Sequence, residues 1–256
     1  MQYIILIYRF MENRLSVILK EVNLMEKILY TKGRTVRMKA DCFKISEPWS
    51  AFTHFIALVA SATAAPFLIA RAFADGRSGM DIFGCAIFCI SLMLLYGAST
   101  CYHTFDRKIT DHSGLRKTDH MMIFILIAGT YTPMCISVIG GIQGGILFMA
   151  VWLLAIAGML LKLFWVNCPK PLSSVLYIGL GWACVFVLPT VREHMGTLAF
   201  RCLLAGGIIY TAGGLMYAFH FRKFDEKHPD FGSHEIFHLF IMAGSFFHYL
   251  AVYFSM

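Results

Sequence analysis

The sequence predicts an all-α membrane protein, a seven-transmembrane helix bundle with its N-terminus in the cytoplasm. Three observations predict it. Of 256 residues, 58% are hydrophobic and 14% charged, with a mean hydropathy of +0.67, which excludes an ordinary soluble domain. Seven apolar segments follow one another, each near the ~20 residues that cross a hydrocarbon core at ~1.5 Å rise per residue. Lys and Arg are unevenly shared between the two sides these segments define, 18 against 4, and the positive-inside rule turns that bias into an orientation. Helices are the open-ended way to satisfy a backbone in lipid, and no alternating strand pattern of barrel length is present.

Residues 1–46 form a basic N-terminal segment. Met1–Phe10 is apolar but too short for a span, and its positive charges come after the apolar run, the reverse of a signal peptide. The segment reads either as a basic surface helix over residues 10–30 or as sequence upstream of an internal start such as Met38. Residues 47–256 form the membrane domain, with apolar segments at 50–73, 80–103, 119–139, 143–165, 172–190, 197–220 and 235–256. Small residues at Ala60/Ala64, Gly179/Gly181, Gly206/Gly207 and Gly213/Gly214 let helices approach closely. Pro66, Pro133 and Pro189 are expected kinks, and a nearby hydroxyl can satisfy the carbonyl that Pro133 frees.

The connections at 104–118, 166–171 and 221–234 are basic, with Lys162 counted at the edge of the second, whereas Arg71, Arg77, Arg192 and Arg201 make up the other side. The bases are dispersed and no nucleic-acid motif accompanies them, so the net charge of +7 fits an anionic membrane face and excludes a nucleic-acid partner. The eight cysteines are scattered without a Cys-x-x-Cys pair and read as small apolar fillers.

The parity of the spans brings distant polar groups to one membrane depth. Odd spans begin, and even spans end, at the cytoplasmic side. Span two ends there with Ser99 and His103, and span three begins with Asp119 and His120. Span seven begins with His234-Glu235-Ile236-Phe237-His238, and span one with Glu47 and His54. His234 and His238 share a helical face and make half of a zinc site; His103 supplies a third ligand. Imidazole donors suit zinc. Asp119 can orient a histidine or hold a metal-bound water, and Ser99 shares the face of His103. Glu47 and His54 read as supporting groups around the ligands. Glu235 is expected to be solvated, and so are His112, His194 and His228. His220 is expected at the headgroups, and His248 as an interhelical hydrogen-bonding group too deep to join the site. His120 points away from Asp119 and is a poorer ligand.

Together these residues resemble a known family. Glu47…Thr53-His54, Leu94-Leu95-Tyr96…Ser99-Thr100…His103, Asp119-His120, Ile127-Ala128-Gly129-Thr130-Tyr131-Thr132-Pro133, Leu204-Ala205-Gly206-Gly207-Ile208-Ile209-Tyr210 and His234…His238-Leu239-Phe240 are similar to the bacterial hemolysin III proteins. That family belongs with the progestin and adiponectin Q receptors and, more widely, with the alkaline ceramidases. The resemblance covers residues 45–256. It implies a zinc ion near the cytoplasmic face of a multi-pass protein of the bacterial inner membrane. His103, His234 and His238 would hold that ion, with Asp119 and Ser99 close to the water it binds. The expected activity is hydrolysis of a membrane-lipid amide or ester in lipid homeostasis. The alternative is a haemolysin-type channel or cytolysin, or a lipid sensor in which zinc is structural.

Overall fold

A computed structural model describes residues 45–105, 112–219 and 221–256. The basic segment through residue 44, Arg107, Lys108, His220 and the side chain of His112 lie outside the described residues. Among the described residues the chain is helical and has no strand. Seven helices are long and apolar enough to cross a membrane. In chain order they comprise α1 (Pro48–Ala74), α2 (Gly79–Thr104), α3 (His112–Pro133) with its continuation Met134–Ile139, and α4 (Gly141–Phe164). They continue with α5 (Lys170–Gly181), its continuation Trp182–Val187 into α6 (Leu188–His194), and α7 (Thr197–Phe219). A short α8 (Arg222–Lys227) precedes α9 (Ser233–Ser255).

Local chemistry sets the boundaries. Pro48 opens α1, where a missing N–H costs nothing. Ser78 and Asp81 form a reciprocal capping box at the start of α2. Gly140 and Gly141, with φ of 63° and 54°, make the left-handed turn between α3 and α4 that a side chain would disfavour. α9 starts where Gly232 N–H meets Glu235 (2.8 Å) and Asp225 of α8 accepts from Ser233 N–H (2.6 Å) and its hydroxyl (2.8 Å). The last basic connection is therefore an ordered brace under α9 rather than a bare loop.

The expected spans are found, and two are irregular within the membrane. After Pro133 the third span widens into a π-helical turn, the response expected where an i−4 hydrogen bond is lost. Hydroxyls of Thr130 and Thr132 bond the carbonyls of Leu126 (2.8 Å) and Ala128 (2.9 Å) in the turn before it. The fifth span tightens into a 3-10 stretch over Trp182–Val187 and restarts with Pro189 in the first turn of α6. Tyr131 repairs that break: its hydroxyl donates to Gly181 C=O (2.7 Å) and accepts from Cys184 N–H (2.8 Å). In hydrocarbon no water replaces these bonds. Tyr131→Phe strands both backbone groups, each worth about 1–3 kcal/mol, and is expected to lower the thermal midpoint in detergent by about 5 °C, read by a melting curve.

Packing runs α1–α2–α3–α4 in sequence, α5 rests on α7, α7 on α9, and α9 returns to α1, closing the bundle. Large apolar side chains such as Ile142, Phe67 and Phe186 lie on the outside, as lipid solvent allows. Lys162 departs from its expected place at the membrane edge. It is fully buried and donates to Cys168 Sγ (2.9 Å) and Ser173 Oγ (2.6 Å), tying the end of α4 to the start of α5. The cysteines among the described residues are free, and most are buried, as fillers should be.

Candidate metal site

Closure of α9 onto α1 builds the site. His103 sits in the last turn of α2, while His234 and His238 occupy the first two turns of α9. The chain before α1 is stapled to the end of α2: Ser46 N–H bonds Thr104 C=O (3.3 Å) and Glu47 N–H bonds His103 C=O (3.0 Å). Two of the carbonyls that a helix end leaves open are thus satisfied, and Glu47 is fixed beside the His103 ring. A second staple joins α1 to α9, where Ser50 Oγ donates to Glu235 Oε1 at 2.5 Å.

His103, His234 and His238 each offer a ring nitrogen, and these atoms lie within 4.8 Å of one another. The Nε2 atoms of His103 and His234 are 3.4 Å apart. Two nitrogens held by a tetrahedral zinc at ~2.0–2.1 Å are also about 3.4 Å apart, so this pair has the spacing of ligands on one ion. His103 and His238 are each only 2% exposed.

The outer ring nitrogens have partners that fix the tautomers. His103 Nδ1 lies 2.5 Å from Glu47 Oε2, so the carboxylate accepts the Nδ1 proton and leaves the Nε2 lone pair facing the cluster. His238 Nδ1 lies 3.4 Å from Thr53 Oγ1. The Thr53 hydroxyl proton is already shared between the carbonyls of Trp49 (3.0 Å) and Ser50 (3.1 Å), so its oxygen is left to accept from His238. Each of these two rings is therefore set with a bare nitrogen turned inward, as a metal ligand requires.

A cavity of about 840 Å³ opens beside the cluster. Glu47, Ser99, Asp119 and the three histidines line it at one end. From there it extends between the helices, past Leu126, Ile127 and Ile241, to His248 and Leu188. Ser99 is 1% exposed and the Asp119 side chain 14%, so both reach the cavity from sheltered positions.

Several expectations change. Glu235 is not simply solvated; it caps α9 and accepts from Ser50. His54 is not one of the groups whose ring nitrogens converge. It is buried and stacked flat on His238, with centroids 3.6 Å apart and planes at 12°, and its ring nitrogens have no hydrogen-bond partner among the described residues. It supports the His238 ring through its own ring face. His120 turns away, as its place in the helix implies, with Nδ1 on Arg116 C=O (2.8 Å) and Nε2 near the Tyr217 hydroxyl (3.4 Å). His194 and His228 are exposed and bond only backbone carbonyls of their own helical turns. His248 makes no interhelical hydrogen bond through Nδ1 among the described residues. Thr53 and Ser50 received no role from sequence. Their signal was position, Ser50 three residues after Glu47 and four before His54, Thr53 directly before His54, on a helix whose facing partner is not visible in the chain.

The chain is similar to known proteins. A family described as "Haemolysin-III related" matches residues 43–249. A Bacillus subtilis (strain 168) protein called "Hemolysin-3 homolog" is 35% identical over 77% of this chain and 87% of its own length. "Hemolysin-3" of Bacillus cereus is 32% identical, covering 80% of this chain and 89% of its own. An "Adiponectin receptor protein" of Drosophila melanogaster is 25% identical over 81% of this chain and 51% of its own.

Proposed function

This chain belongs to the haemolysin-III related family of multi-pass integral membrane proteins, and from that premise we propose that it is a zinc-dependent hydrolase of a membrane-lipid amide or ester, acting in membrane-lipid homeostasis from a site at the cytoplasmic face. The observation that carries this reading is the three-histidine cluster with its inward nitrogens at the mouth of a largely apolar cavity. The sequence bias of Lys and Arg, 18 counted with the segment ends that carry the cluster against 4 with the others, supports a cytoplasmic site and a cytoplasmic N-terminus.

His103, His234 and His238 would hold the ion. Zinc held by three imidazoles supplies a Lewis acid for a carbonyl and lowers the pKa of water toward ~7. The chain's own groups do the rest. Glu47 and Thr53 keep His103 and His238 in the ligating tautomer. Asp119, the acid placed at the cavity mouth, accepts the proton of the attacking water and returns it to the leaving group. Ser99 Oγ donates to the oxygen on which negative charge develops. Leu126, Ile127 and Ile241 receive the acyl chain and keep bulk water from the reacting bond.

The same apolar lining speaks against the rival, a channel, which needs polar groups along its path. The test combines metal analysis of purified protein with lipid mass spectrometry of liposomes containing ceramide and phospholipid. About one zinc per chain and release of free fatty acid that stops on chelation and returns with zinc are expected. Zinc without any lipid turnover, together with ion conductance, would sink the hydrolase reading in favour of the channel.

A further inference from the structure

We propose that the cavity takes a lipid carrying a hydrogen-bonding group, a hydroxyl or a carbonyl, near the middle of its chain, and that His248 receives that group. The proposal rests on the reading of the cavity as a lipid site. His248 follows His238 by ten residues on α9, which places it ~15 Å further along the helix at ~1.5 Å per residue. That is about half of a ~30 Å hydrocarbon core. A chain whose head lies at the histidine cluster would pass His248 near its midpoint.

The ring is held and chemically uncommitted. It is 8% exposed and lines the cavity, and its buried Nδ1 has no hydrogen-bond partner among the described residues. Tyr210 stacks on one face, with centroids 5.0 Å apart and planes at 23°. Gly206 of α7 leaves room for the ring, since a Cβ there would lie 2.8 Å from it. The hydroxyls of Tyr210, Ser245 and Tyr96 are spent on one another: Tyr96 donates to Ser245 (2.6 Å) and Tyr210 shares a hydrogen bond with the same Ser245 Oγ (2.7 Å). Ile241, Met134 and Leu203 line the same cavity.

A neutral imidazole offers one donor and one acceptor, so it can serve a hydroxyl or a carbonyl equally. Nδ1 is shut off from the cavity, so Nε2, on the edge beside Gly206, is the nitrogen left to a ligand. A plain hydrocarbon chain would leave Nε2 without a partner, whereas a chain with a polar group at the right depth gains a hydrogen bond there. His248 would then distinguish lipids by what lies far from the reacting bond.

Equilibrium binding of radiolabelled stearate and of hydroxystearate with a mid-chain hydroxyl, to the full-length protein in nanodiscs, tests this. The wild type is expected to bind the hydroxylated acid about ten-fold more tightly. His248→Phe is expected to abolish that preference while keeping stearate binding, and His248→Gln to retain part of it. Equal affinities on the wild type, or a preference that survives His248→Phe, would overturn the assignment while leaving the lipid site intact. Binding of neither acid would overturn the lipid site itself and this inference with it. Should His248→Phe fail to fold, the wild-type comparison and the Gln variant still decide.

Discussion

Purified His238→Ala, and more completely the triple variant with His103→Ala and His234→Ala, is expected to retain less than about a tenth of the wild-type zinc after dialysis, because a tetrahedral site deprived of one of three protein ligands loses most of its hold. The reason this residue should matter most lies in its preparation. His238 is 2% exposed, stacked on His54, and turned by Thr53 so that one nitrogen faces His103 and His234. Supporting groups should give smaller, graded effects. Glu47→Gln removes the carboxylate that accepts the His103 Nδ1 proton at 2.5 Å, and is expected to weaken zinc about 10- to 100-fold. Competitive titration against a chelator of known affinity measures both. A thermal melt separates metal loss from misfolding, since Glu47→Gln leaves the apolar packing of the bundle untouched. Full zinc content in His238→Ala would remove this residue from the site.

Asp119→Asn is expected to lower turnover of a lipid amide by about 10²–10⁴ while leaving zinc content unchanged, because a carboxamide occupies the same volume but accepts no proton. The prediction separates two roles that share one cavity. Asp119 lines it beside the histidines, and His120 Nδ1 lies 3.7 Å from its carboxylate. Were Asp119 a necessary metal ligand, zinc would fall together with activity. Were it only a surface acid, neither would change. Single-turnover release of fatty acid, with zinc measured on the same sample, distinguishes the three cases, and full turnover in Asp119→Asn would rule out the assigned base.

Much of the architecture was legible before any coordinates. Seven apolar runs, their lengths and their parity follow from hydropathy, because lipid forces each backbone to satisfy itself within a helix. Parity alone placed His103, His234 and His238 at one depth, and the coordinates bring their nitrogens within 4.8 Å. Depth is one coordinate of three, however. Which faces meet depends on how the helices order themselves around the bundle, and composition along a single helix does not encode that.

The readings that changed all concern such faces. Glu235 looked solvated because it points away from His234 and His238, yet that direction leads to Ser50 on α1. Lys162 was counted with the basic edge because a lysine near a span end usually snorkels; a thiol and a hydroxyl from beyond the next turn instead hold it inside. The break at Trp182–Val187 left no trace in hydropathy, since its repair comes from Tyr131, on another span. The sequence by itself determined the number of spans, the depth of the histidines and the donor chemistry available, because these follow from local polarity and chain order. Only the tertiary structure decided that Glu47 and Thr53 set the ring tautomers, that His54 stacks rather than ligates, and that His248 faces a cavity, because each depends on which helix lies opposite.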